Sequence, residues 1–224
     1  MSCKLVIFDF DGTLSDTRPH ILSCGQKCID KFHLRQPTKE EIASMGGGVF
    51  ANTMMSLGAT EDMIDDLKKY YKEIFLEDVS DITLYDGVLD TLTKLKESGI
   101  KLAIATNRGR EILLPLLKHL GLEDVFDDLV CESDVQNKKP HPEMIELILD
   151  KLKFQKEDSL IVGDTKYDVL LGKNSNIRTC LVDYNKKGYN EEAKPDFIVH
   201  NFKDIIDVLA TMNNDVMNNC KQVR

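Results

Sequence analysis

The sequence predicts an α/β protein built on an open, mostly parallel sheet, with one all-helical block inserted near its start. Three observations carry this. Short apolar runs recur along the 224 residues, amphipathic helical stretches separate them, and one long segment, from Ser15 to about Leu84, contains no such run. Strand–helix alternation of this kind places helices on both faces of a parallel sheet, joined by right-handed crossovers.

The elements follow in order. Residues 4–8 (Lys-Leu-Val-Ile-Phe) are nearly all apolar, as a strand covered on both faces must be. Comparable runs lie at 101–106, more weakly at 128–131, then at 159–163, 178–182 and, briefly, 197–199. Helical patterns fill the gaps at 88–98, 110–120, 142–152 and 167–173. Inside the strandless segment, Ile21, Gly25, Cys28, Ile29 and Phe32 share one helical face, and Met63, Ile64, Leu67, Tyr71, Ile74 and Phe75 share another. Thr38 with Glu41, and Thr60 before an acidic turn, read as helix starts. The expected division is a core of residues 1–14 and 85–210, a helical cap of 15–84, and a polar, Asn-rich tail of 211–224 that is expected to fray.

Composition narrows the function. With 38 acidic against 29 basic residues and a net charge of −9, the chain lacks the broad positive footprint that nucleic acid requires. A small anion remains within reach of a metal ion, a few cations or helix-start N–H groups. No stretch approaches a membrane span, and the first residues lead straight into a strand, so a cytoplasmic protein is expected. The six cysteines form no CxxC pair. Cys24 and Cys28, one helical turn apart, are expected to pack rather than bind metal.

In open parallel sheets, sites form at the carboxyl ends of strands, and four clusters fall there. Asp9-Phe10-Asp11-Gly12-Thr13 follows the first strand. One of its carboxylates can attack phosphorus while the other gives and takes a proton, provided that the chain turns at Gly12. Thr106-Asn107 follows the second strand and offers a hydroxyl and an amide to phosphoryl oxygens. Lys139-Pro140-His141-Pro142 offers the Lys139 ammonium as a point charge. Gly163-Asp164 with Asp168 follows another strand; Asp164 suits a hard Mg²⁺ ion, and Asp168 suits the orientation of Asp164 or Lys139. Each cluster alone has a plainer reading: an Asp-Gly turn, an N-cap, a solvated Lys pair, a helix cap. His141 reads as an exposed helix-start residue. It is their joint placement at strand ends that argues for a site.

In that order the clusters resemble the motifs of the haloacid dehalogenase superfamily, in its phosphatase branch, over residues 4 to 200. The stretch from Tyr85-Asp86-Gly87-Val88 to Asn107 is also similar, although Asp86 stands where proline is common and Ser175-Asn176 where Ala-Gly is usual. The resemblance implies a Rossmann-like core, Asp9 as nucleophile and Asp11 as acid then base. It implies Mg²⁺ held by Asp9, Asp164 and the Asp11 backbone carbonyl, and a phosphoryl group held by Thr106, Asn107 and Lys139. Asp11 argues against dehalogenation, which has no phosphoryl leaving group to protonate.

A cap inserted after the first motif resembles the phosphoglycolate phosphatase group, which implies a small phosphorylated metabolite as substrate. A β-phosphoglucomutase-type phosphomutase, a pyrophosphatase, a nucleotidase or a non-catalytic phosphate binder are the alternatives. Gly46, Gly47 and Gly48 read equally as a substrate-reading loop or a plain interhelical loop, and Arg18, His20, Lys27 and Arg35 are cap-side candidates for an anionic substrate tail, each alone reading more readily as solvated surface.

Overall fold

The chain runs β1 (Leu5–Phe8), α1 (Arg18–Lys31), α2 (Lys39–Ser44), α3 (Phe50–Ser56), α4 (Ile64–Glu77), α5 (Val88–Glu97), β2 (Lys101–Ala105), α6 (Arg110–His119), β3 (Asp128–Val130), α7 (Glu143–Leu152), β4 (Ser159–Gly163), α8 (Lys166–Asn174), β5 (Arg178–Val182), β6 (Phe197–Val199) and α9 (Ile205–Lys221). The structure is a computed structural model that describes residues 3–45, 48–189 and 191–221, with side chains throughout except at 43, 44 and 214–221.

The six strands form one parallel sheet in the order β3-β2-β1-β4-β5-β6. This is the Rossmann-like core that the alternation predicts. β1 lies at the centre, with Phe8 beside Ile104 of β2 and Val162 of β4. All four of its residues are fully buried, which explains why the run lacks polar alternation. Leu5 and Ile7 face a core completed by Met144, Ile145 and Ile148 of α7. Val6 and Phe8 face a second core with Leu92 of α5, Leu113 of α6 and Phe202. Burying one such side chain contributes about 1.5–3 kcal/mol.

That second core continues into the helical insertion through Leu14, Cys24, Cys28, Met54, Leu67 and Phe75, so the cap shares apolar contacts with the sheet domain. Its two connections run side by side: Asp16 N–H donates to Thr83 O (3.1 Å) and Tyr85 N–H to Leu14 O (3.1 Å). Thr38 forms the expected capping box, accepting from Glu41 N (3.1 Å) while its own N–H donates to Glu41 Oε2 (2.7 Å). Such a cap contributes about 1 kcal/mol. Thr60 heads only a 3₁₀ turn, Glu61–Met63, and makes no side-chain cap bond; α4 begins one turn later. The five cysteines with described side chains are buried thiols, and Cys24 and Cys28 serve packing.

Helix α9 carries its backbone to Lys221, with Met212 buried beside Val208 and Leu209 and Asn213 Oδ1 accepting from Cys3 N–H (3.0 Å). Among the described residues, no helix is long and apolar enough to cross a membrane.

Candidate active site

The sheet brings three strand ends together. Asp9 extends β1 by one residue, its N–H donating to Val162 O (2.9 Å), and is almost fully buried. The chain then turns at Gly12, whose φ of +80° suits glycine. A Cβ there would lie 2.4 Å from Asp164 Oδ2, so this loop can close on the end of β4 only without a side chain. Thr13 Oγ1 completes the contact, donating to Asp164 Oδ1 (3.1 Å). The first and fourth clusters thereby form one unit.

The second and third are joined to it. Thr106, at the end of β2, is buried, and its Oγ1 accepts from Arg108 N–H (3.1 Å). Asn107 Oδ1 accepts from the Lys139 backbone N–H (3.1 Å), which fixes the approach of the Lys139 loop, where the Lys139–Pro140 bond is cis. Lys139 Nζ donates to Asp9 Oδ1 and to Asp168 Oδ1, both at 2.7 Å. Asp168 Oδ2 accepts from Thr165 N–H (3.0 Å) and Oγ1 (2.7 Å). Both oxygens of Asp168 are therefore engaged.

Asp11 points away from this group. Its Oδ1 accepts from Thr17 Oγ1 (2.6 Å) and Arg108 Nη2 (2.6 Å), and its Oδ2 from Arg108 Nε (2.7 Å). The Arg108 guanidinium lies 4.4 Å from the ring centroid of Phe75, on cap helix α4. Asp9, Asp11, Thr106, Asn107 and Arg108 line a cavity of about 220 Å³ whose far wall is the cap, including Ile21, Met45, Gly48, Phe50 and Tyr71.

The electrostatics ask for another cation. Carboxylate oxygens of Asp9, Asp164 and Asp168 lie within 4.8 Å of one another, against one nearby ammonium. Burial pushes Asp9 up to about 7, opposed by Lys139 and reinforced by Asp168 and Asp11. Asp164 is also raised, by burial first and then by Asp168 and Asp9. Burial disfavours the charge on Lys139, but Asp168 and Asp9 outweigh it and hold the ammonium protonated beyond its ordinary range. The donor set is all oxygen and anionic, which fits a hard divalent ion; with Asp168 saturated, Asp9 and Asp164 are the candidate ligands.

A pH signature follows. A group whose folded pKa is raised above its unfolded value stabilises fully below the unfolded value and loses that contribution as pH rises through the folded one. The protein without divalent metal is expected to lose stability between pH 5 and 8 on account of Asp9, and Mg²⁺ to raise the melting temperature more at pH 8 than at pH 5. Acids held low, such as Glu41 by its hydrogen bonds to Arg35, have finished titrating below this window. Thermal melts with and without Mg²⁺, repeated on Asp9→Asn, check it. A Mg²⁺ increment independent of pH contradicts it.

The cap residues fare differently. Gly48 lines the main cavity, while Gly46 and Gly47 lie outside the described residues. Arg18 donates to Met45 O and to Ile42 O (2.9 Å), bracing the end of α2, and lines a separate cavity of about 200 Å³ on the other side of Asp11. His20 packs edge-on against Phe75 with Nε2 3.0 Å from Phe75 O, and lines neither cavity. Lys27 is exposed, and Arg35 pairs with Glu41 at 2.7 Å. Sequence reasoning missed Arg108 and Thr17, and it quoted Thr13 in the first cluster without giving it a role. The available signal for Arg108 was a cation directly after Thr106-Asn107, at a strand end.

Fold and site together define an enzyme class: a parallel-sheet hydrolase with an acidic pair after the first strand and a buried lysine facing it. Residues 6–182 match the family model for the haloacid dehalogenase-like hydrolases, and the chain belongs to that family. It is 36% identical over 211 residues to the pyrophosphatase PpaX of Bacillus pumilus, covering 92% of this chain and 95% of that one. A solved structure from Bacteroides fragilis, assigned as a haloacid dehalogenase-like hydrolase, superposes with a TM-score of 0.82 at 26% identity, covering 90% and 99%. CbbY of Rhodobacter sphaeroides, solved with phosphate, shares the fold at a TM-score of 0.77 and 21% identity, covering 92% and 96%.

Proposed function

We propose that this enzyme is a magnesium-dependent phosphohydrolase acting on a small phosphorylated compound through an aspartyl-phosphate on Asp9. The observation that carries the reading is the Lys139 ammonium, 2.7 Å from both Asp9 and Asp168, beside a further acid, Asp164, within metal-sharing reach. This is a nucleophile with its charge partner and ion ligands in one buried cluster.

In the first step an Asp9 oxygen attacks phosphorus and the bond to the leaving oxygen breaks, with Asp11 donating a proton to that oxygen. In the second, Asp11 takes a proton from water, whose oxygen attacks the same phosphorus; the Asp9–phosphate bond breaks, releasing inorganic phosphate. The Thr106 hydroxyl, the Asn107 amide and Lys139 hold the phosphoryl oxygens where negative charge builds. Asp9, Asp164 and the Asp11 backbone carbonyl would hold Mg²⁺, which when bound neutralises charge between phosphate and nucleophile. Asp168 keeps Lys139 aimed at Asp9.

A second reading, hydrolysis of inorganic pyrophosphate, is favoured by the likeness to PpaX. A panel of two- and three-carbon phosphates, sugar phosphates, nucleotides and pyrophosphate, with Mg²⁺ or EDTA, separates them. Mg²⁺-dependent phosphate release from at least one compound, abolished by EDTA, is expected. Release from none contradicts the proposal, and isomerisation of a sugar 1-phosphate without net phosphate marks a mutase instead.

A further inference from the structure

In an in-line displacement the leaving oxygen departs on the side of phosphorus opposite Asp9. Whatever that oxygen carries enters the cavity of about 220 Å³ under the cap, which is continuous with the phosphoryl site because Asp9, Thr106 and Asn107 line it. The polar cavity on the other side of Asp11, lined by Arg18, Asp183 and Lys187, is reached by none of those three. The leaving group is therefore read in the first cavity.

The cap wall of that cavity is apolar. Ile21, Ile29, Ile42, Met45, Phe50 and Tyr71 line it, with the Phe50 and Tyr71 ring centroids 4.5 Å apart. Among the described residues, its charged lining sets two cations, Lys68 and Arg108, against four acids, Asp9, Asp11, Glu111 and Glu132. Both cations already face acids: Arg108 gives Nε and Nη2 to Asp11 (2.7 and 2.6 Å), and Lys68 Nζ lies 3.9 Å from Glu132 Oε1. A second phosphate, or a carboxylate, on the leaving side would meet that negative excess at short range. An uncharged body avoids it and gains by covering the apolar wall.

Gly25 shows that room is kept for such a body. It lies inside α1, where glycine is less favourable than alanine, and it lines the same cavity. A Cβ there would meet nothing within 4 Å, so packing does not require the glycine, and the space its missing side chain leaves is open. We propose that this cavity binds an uncharged, apolar alcohol portion on the leaving side of the substrate, and that the enzyme hydrolyses phosphomonoesters of such alcohols in preference to pyrophosphate or phosphorylated acids. The inference deepens the phosphohydrolase reading and rests on it.

The test measures kcat/KM with Mg²⁺ for 3-methylbutyl phosphate, methyl phosphate, phosphoglycolate and pyrophosphate, in the wild type, Gly25→Ala and Gly25→Leu, with melting curves to confirm folding. The two alkyl esters share an uncharged leaving alkoxide and differ in the apolar body alone. The wild type is expected to prefer the 3-methylbutyl ester to the methyl ester by at least about 10-fold, and to prefer it to both substrates with anionic leaving groups. Gly25→Leu is expected to cut the ratio between the two esters by about 10-fold, because its side chain fills the space of the body. Gly25→Ala should cut it less, and it carries the test if the larger side chain impairs folding. Equal kcat/KM for the two esters overturns the inference, as does more efficient hydrolysis of phosphoglycolate or pyrophosphate than of the 3-methylbutyl ester, or a wild-type ratio in folded Gly25→Leu. Phosphate release from none of these compounds, nor from the wider panel, fails the hydrolase reading itself and the inference with it.

Discussion

Asp9→Asn is expected to reduce turnover by at least about 10⁴-fold, because the amide cannot attack phosphorus and no neighbouring carboxylate can replace it. Asp168 has both oxygens engaged, and Asp164 is held by Thr13 on the far side of the loop turn. The side chains are nearly isosteric, so the fold should survive. Removing one buried acid from a cluster of three is even expected to stabilise the metal-free protein above pH 7, the same charge argument that raises Asp9 to about 7. Loss of activity with retained or increased melting temperature distinguishes a chemical role from a structural one. Wild-type turnover in this variant removes Asp9 from the mechanism.

Lys139→Met is expected to do both kinds of damage. The ammonium is nearly inaccessible and bridges two buried acids, and removing one partner of such a pair costs about 3–5 kcal/mol. Asp9 and Asp168 would then face each other with no cation. Asp9, already raised to about 7 by burial, relieves the repulsion by taking up a proton, so the destabilisation should shrink as pH falls from 8 to 5. Turnover should fall at least about 10³-fold, since the residue also faces the charge that develops on the phosphoryl group. Denaturant melts across that pH range, together with kcat, check it. A variant as stable as wild type at pH 8 contradicts the bridging role.

Much of this site was legible because its chemistry sits where the backbone leaves a strand. Leu5 to Phe8 can only be a doubly covered strand, so Asp9 had to emerge at its end, and the same logic placed Thr106 and Asp164. Lys139 lies on a loop, but its neighbouring prolines marked a fixed turn. What the sequence did not reveal depends on contacts between distant segments. Arg108 meets Asp11 while packed on Phe75, more than thirty residues earlier, a contact that no local pattern records. Arg18 and His20 looked like cap-side cations, yet Arg18 braces carbonyls at the end of α2 and His20 packs on Phe75. No helix was read after residue 199, although Ile205, Val208, Leu209 and Met212 keep helical spacing across the boundary drawn at residue 210 and are buried together in helix α9. Thr60 misled for a simpler reason, as an acidic turn after a threonine starts a 3₁₀ turn as readily as an α-helix.

The stereochemical course at phosphorus tests the central claim most directly. With a substrate identified from the panel and made chiral at phosphorus by isotopic or thio substitution, two successive in-line displacements, onto Asp9 and then onto water, invert configuration twice. The account predicts net retention in the released phosphate. Net inversion would mean a single direct attack by water and would contradict it.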